Sequence, residues 1–107
     1  MQGFLDRGIA MMVMEIPGTG DHPGDPKDPT SPDRVFDSVF VWIEEQHEIK
    51  KQQIALWGFS TGGLYATRVA HTHGKKLKGV VSLGGGTHWM FDEKWLDDID
   101  KREYPFP

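Results

Sequence analysis

The apolar positions of this chain fall into short blocks whose spacing changes from one block to the next. From Gly8, Ile9-Ala10-Met11-Met12-Val13-Met14 is a nearly continuous apolar run, the pattern of a parallel strand buried on both faces. It stops at Glu15-Ile16-Pro17-Gly18-Thr19-Gly20. The stretch of about 17–32 is so rich in Pro, Gly and Asp that it predicts a flexible loop. Ser31 then has the character of an N-cap with Pro32 at the first helical position. Val35, Phe36, Val39, Phe40 and Ile43 follow at helical spacing, which predicts an amphipathic helix to about His47. Ile54-Ala55-Leu56-Trp57 is too short for a helix and ends at Gly58, so it reads as a second strand. Helical spacing returns from Leu64 to His71 and ends at Gly74, and Leu77 to Leu83 reads as a third strand closed by Gly84-Gly85-Gly86. A short acidic helix from Trp89 to about Asp100 would carry Trp95, Leu96 and Ile99 on one side.

Strand, helix, strand, helix, strand is the order of two consecutive crossover units. It predicts an α/β fold with three parallel strands and helices on the faces. At 107 residues the chain is shorter than the roughly 200 that a complete sheet of this kind with both faces covered needs. The expectation is therefore the central fragment, residues 1–107, of one domain, with sheet edges that further segments would cover. Composition narrows the partners. Apolar residues at 37% and charged residues at 26% are those of a folded chain, and the net charge of −4 provides no basic field for nucleic acid or anionic lipid. No apolar run has the length of a membrane span, no signal-peptide pattern opens the chain, and cysteine is absent, which together point to an intracellular protein acting on a small molecule.

One motif carries chemistry. Gly58-Phe59-Ser60-Thr61-Gly62 is G-x-S-x-G between a predicted strand and a predicted helix, the context of a nucleophile elbow that lifts a serine oxygen above the sheet. Ser60 is the candidate nucleophile. Gly58 and Gly62 are expected to avoid collision where strand and helix approach, and the Thr61 backbone N–H, at a helix N-terminus, is the candidate oxyanion donor. The fold class implied is a partial α/β-hydrolase.

Other groups are weaker. Gly84-Gly85-Gly86 lacks the spacing of a dinucleotide or phosphate loop and reads as a plain turn. His71 and His73, two residues apart, do not share a helical face, so they are read as a solvated pair, with neither metal nor cofactor expected. Asp92, Glu93, Asp97, Asp98 and Asp100 read as a solvated helix face, and His88, after the third strand, is a minor candidate for a base.

Six segments add a resemblance: Glu15-Ile16-Pro17-Gly18-Thr19-Gly20-Asp21, Asp28-Pro29-Thr30-Ser31-Pro32-Asp33-Arg34, Trp57-Gly58-Phe59-Ser60-Thr61-Gly62-Gly63, Ala70-His71-Thr72-His73, Gly84-Gly85-Gly86 and Glu103-Tyr104-Pro105-Phe106. Together they resemble the fungal pigment-pathway hydrolases of the yellowish-green pigment type, in the FrsA-like branch of α/β-hydrolases. The resemblance implies serine-dependent hydrolysis of a carbon–carbon bond next to a ketone in an aromatic polyketide, with Ser60 as nucleophile. It also implies a triad in the order Ser, Asp, His, with acid and histidine beyond Pro107, so that these residues alone would have little activity. An ordinary carboxylesterase or acyl-peptidase, and a non-catalytic interaction fragment, are the alternatives.

Overall fold

The computed structural model describes residues 1–86 and 92–99. In chain order the elements are α1 (Gln2–Leu5), α2 (Ser31–Glu45), β1 (Ala55–Phe59), α3 (Thr61–Thr72), β2 (Gly79–Leu83) and α4 (Glu93–Ile99). Single 3₁₀ turns at Lys51–Gln53 and Gly74–Lys76 lead into the two strands. β1 and β2 pair in parallel, with Ala55 opposite Gly79 and Phe59 opposite Leu83, and α3 is the crossover between them.

The sheet among the described residues has two strands, not three. Residues 9–14, read as the first strand, lie in no regular element, and Ile9, Met11, Met12 and Val13 are exposed. The apolar run satisfies the side-chain requirement of a buried strand, but a strand also needs a backbone ladder. The segment forms no such ladder with β1 or β2. Only Met14 reaches the core.

That core lies between α2 and α3. Phe36, Phe40 and Ile43, at i, i+4 and i+7 of α2, meet Val69 of α3, and Val39, Ile54, Leu56, Tyr65 and Leu77 pack around them. The helix begins one residue earlier than the pattern suggested: Thr30 occupies the N-cap, with Ser31 and Pro32 both buried in the first turn. On the sheet, Leu56 and Gly58 turn toward the helices. Trp57, Phe59, Val81 and Leu83 share the opposite face and are all exposed, with the Trp57 and Phe59 rings 4.6 Å apart. No helix among the described residues is long and apolar enough to cross a membrane.

Residues 17–30 form no helix or strand, but polar contacts bend the chain at defined points. The Thr19 hydroxyl accepts from the Ile16 amide and donates to the Ile16 carbonyl, and the Glu15 carboxylate accepts from the Asp21 amide. Asp28 accepts from both the amide and the hydroxyl of Thr30, forming an Asx-type turn, and pairs with Arg34. Arg68 of α3 reaches across in a two-pronged pair to Asp33, at 2.8 and 2.7 Å, and also donates to the Pro29 carbonyl at 2.7 Å. The hydrogen bonds that Arg68 donates hold the Asp33 carboxyl below its ordinary range, and the same bonds raise the Arg68 guanidinium.

The hydrogen bonds from Thr30 and then Arg34 lower Asp28 further, from 3.8 to about 2. A carboxylate depressed in the folded state adds stability that is fully present above 3.8 and lost as pH falls through about 2. The expected result is an Asp28 side-chain NMR titration with a midpoint near 2 that carries the Thr30 amide with it, and no such transition at Thr30 in Asp28→Asn. A midpoint at 3.8 would show that the turn is not held this way in solution.

Candidate active site

β1 delivers the chain to Ser60 and α3 begins at Thr61, so Ser60 stands at the junction of strand and helix. Its backbone has φ 52° and ψ −122°, and among the described residues it is the single non-glycine with positive φ. This is the corner of conformational space that the first central residue of a type II′ turn occupies, a position normally given to glycine. Holding a residue with a Cβ there costs about 1–3 kcal/mol, which the surroundings must offset.

Those surroundings are the end of β2. The Ser60 amide donates to the Leu83 carbonyl at 2.8 Å, and the Ser60 carbonyl accepts from the Gly63 amide at 2.8 Å. The Ser82 hydroxyl donates to the Gly63 carbonyl at 2.8 Å. A Cβ on Gly63 would come within 2.9 Å of the Gly85 backbone, so the first turn of α3 lies directly on the loop after β2. Gly84, at φ 68°, makes the turn that brings Gly85 there.

The two glycines of the motif are not equivalent. A Cβ on Gly58 would lie 2.0 Å from the Gly62 carbonyl oxygen, so strand and helix cross at a distance that only glycine permits at Gly58. A Cβ on Gly62 would meet nothing within 4 Å, which corrects the expectation that both positions relieve the same collision. The steric demand on the helix side falls one residue later, on Gly63. The doubled glycine after the serine was the sequence signal for it, and its packing partner is Gly85, in the turn that follows β2.

Ser60 is exposed, and among the described residues its hydroxyl has no hydrogen-bonded histidine or carboxylate. The Thr61 N–H opens α3, where first-turn amides have no intrahelical acceptor, and among the described residues it donates to none. Serine oxygen and free amide thus adjoin at the positive end of a helix, an arrangement suited to attack on a carbonyl and to holding the negative oxygen that results.

The remaining candidates are placed elsewhere. His73 does not belong to a solvated pair: its side chain is 9% exposed, stacks on Phe40, and contacts Asp37 at 2.9 Å and the Thr72 hydroxyl at 2.6 Å. It ends α3 and joins it to α2, a tertiary role that local spacing does not reveal. His71 is exposed. Among the described residues no three His, Asp or Glu side chains are grouped to hold a metal. Asp92, Glu93, Asp97 and Asp98 are exposed at α4, while His88 and Asp100 lie outside the described residues.

Comparison with known proteins bears on this geometry. The sequence model of the X-Pro dipeptidyl-peptidase (S15) family matches residues 1–98. The chain belongs to the S15 family. Esterase FrsA of Photorhabdus laumondii is 25% identical over 96 residues, covering 90% of this chain and 22% of the esterase. Thiohydrolase aneE of Aspergillus aculeatus is 24% identical over 99 residues, covering 90% of this chain and 31% of the thiohydrolase. The chain therefore spans less than a third of the length of these relatives. Together with the parallel strand–helix–strand unit, the S15 match makes the chain α/β-hydrolase-like.

Proposed function

We propose that these residues carry the nucleophile of a serine hydrolase that cleaves an acyl compound, with Ser60 as the attacking group. The observation behind this reading is the strained Ser60 backbone at the strand–helix junction beside the free Thr61 amide. Few structural needs explain a serine held where glycine is favoured, whereas an elbow that presents a hydroxyl above a sheet does. In the proposed reaction the Ser60 oxygen bonds to the substrate carbonyl carbon while its proton passes to a general base. The Thr61 amide bonds the oxyanion, the tetrahedral species collapses, and the leaving group takes the proton. Water then adds to the acyl-enzyme and frees the acid and Ser60. The base and its supporting acid are assigned outside the described residues, on the order Ser, Asp, His that the resemblance implies.

Two substrate classes follow. The resemblance to the pigment-pathway hydrolases supports a ketone in an aromatic polyketide, where the bond broken is the carbon–carbon bond next to that ketone and the leaving carbon departs as an enolate and is protonated. The names of the two relatives, an esterase and a thiohydrolase, support an oxygen or thiol ester instead. Neither class requires a cofactor. Hydrolysis of a p-nitrophenyl ester, a thioester and a pyrone polyketide by a protein containing this chain separates them.

A fluorophosphonate probe tests the nucleophile itself, with adducts mapped by peptide mass. In a protein that joins this chain to the base-bearing segments, the expected adduct is on Ser60, and hydrolysis persisting in Ser60→Ala would overturn the proposal. Labelling of Ser60 in the 107-residue chain alone would assign the base to this chain, with His88 as first suspect.

A further inference from the structure

At the opposite end of the strands from Ser60 lies a second feature with no part in that chemistry. The 3₁₀ turns that enter β1 and β2 stand side by side, tied by the Lys78 amide donating to the Ile54 carbonyl at 2.7 Å. Between them and α2 is an open cleft of about 470 Å³, within the range of roughly 300–1,000 Å³ typical of small-molecule sites. Its floor is apolar: Phe40 and Ile43 are buried core residues, and Ile54 and Leu77 are half-buried. Its rim holds Lys51, Lys75, Lys76 and Lys78.

Half of the lysines of an acidic chain thus border one cleft. Glu44 is the one carboxylate in the lining, and among the described residues none of the four lysines forms an ion pair. Lys76 instead sits over the Phe40 ring, 5.4 Å from its centre, so its ammonium is held above the apolar floor. Four like charges around a cleft with a single carboxylate among them repel one another, and an anion entering the cleft would relieve that repulsion. Ser60 does not line the cleft, and a five-residue strand puts about 15 Å between the two ends of the sheet.

We propose that this cleft binds a small amphipathic anion, an apolar chain or ring ending in a phosphate or carboxylate, with the tail on Phe40, Ile43, Ile54 and Leu77 and the head group among the lysines. The occupant is a single soluble molecule rather than a membrane, because the apolar surface is a concave floor below a charged rim and not a protruding face.

Octyl phosphate, inorganic phosphate and octanol are suitable probes, titrated into the ¹⁵N-labelled chain. Octyl phosphate is expected to saturate with shifts at the Lys51, Ile54, Leu77 and Lys78 amides, and to bind about tenfold more tightly than inorganic phosphate or octanol. Reversing two exposed rim charges, Lys76→Glu with Lys78→Glu, should weaken it about tenfold or more and remove the rise in Tm that octyl phosphate gives the unaltered chain. Ser60→Ala should bind octyl phosphate as the unaltered chain does, which separates this site from the proposed nucleophile. Shifts confined to Trp57, Phe59, Val81 and Leu83 would overturn the proposal by moving binding to the open sheet face. Charge reversal without effect, or capture by phosphatidylserine vesicles with no response to octyl phosphate, would overturn it as well.

Discussion

Ser60→Gly raises the stability of the fold by about 1 kcal/mol while abolishing the proposed activity, whereas Ser60→Ala abolishes activity and leaves stability nearly unchanged. The two substitutions remove the same hydroxyl but differ in what they do to the backbone. Ser60 sits at φ 52°, ψ −122°, and alanine keeps the Cβ that makes this conformation costly, while glycine does not. The serine side chain makes no cap hydrogen bond to α3, so its removal leaves no helical amide newly unpaired. Loss of the nucleophile is expected to lower kcat by roughly 10⁴-fold or more in a protein that holds the complete triad. Urea unfolding of the three proteins reads the strain, and turnover of an activated ester reads the nucleophile. Equal stability of Ser60→Gly and Ser60→Ala would show that the elbow is not strained in solution, and turnover retained by both would remove Ser60 from the chemistry.

A second large effect is expected from Gly58→Ala. The added methyl would be placed 2.0 Å from the Gly62 carbonyl oxygen and 2.9 Å from the Ala66 side chain, and the nearest obstacle is backbone, which cannot rotate away. Either β1 or α3 must move, so a loss of about 3 kcal/mol or more is expected, enough to unfold a small domain of ordinary stability. Gly62→Ala is the contrasting variant. Its methyl meets nothing within 4 Å and the position is helical, so it should be tolerated or gain about 0.5 kcal/mol from helix propensity. Thermal unfolding followed by circular dichroism distinguishes the two. Equal tolerance at both positions would mean that strand and helix do not cross as closely as the structure has them.

The elements that were legible in the sequence are those whose pattern is local. The i, i+4, i+7 spacing of Phe36, Phe40 and Ile43 indicated the buried face of α2, and the short apolar blocks on either side of α3 indicated β1 and β2. Both strands proved shorter or shifted at their starts, because a 3₁₀ turn precedes each and residues such as Leu77 are apolar for the core's sake and not the sheet's. The run at 9–14 was misread for a related reason. Its composition indicates that it seeks burial, but strand formation depends on a neighbouring backbone with free donors and acceptors, and that is not a property of the run itself. His73 shows the same limit for a polar residue: nothing adjacent in sequence announces Phe40 and Asp37, more than thirty residues earlier, as its partners.

At the candidate site, G-x-S-x-G by itself determined where the sharp turn falls, which residue occupies the strained position and which amide opens the following helix. These are consequences of chain order, because a strand that ends where a helix begins must reverse direction within those few residues. Only the tertiary structure decided which glycine bears the steric load. Contact between Gly58 and the Gly62 carbonyl, and between Gly63 and Gly85, depends on the angle and distance at which α3 crosses the two strands, and those are set by packing across the whole unit. The lysine cleft belongs to the same class. Lys51 and Lys75 to Lys78 are separate in sequence, and they border one cavity because parallel pairing brings the starts of β1 and β2 together.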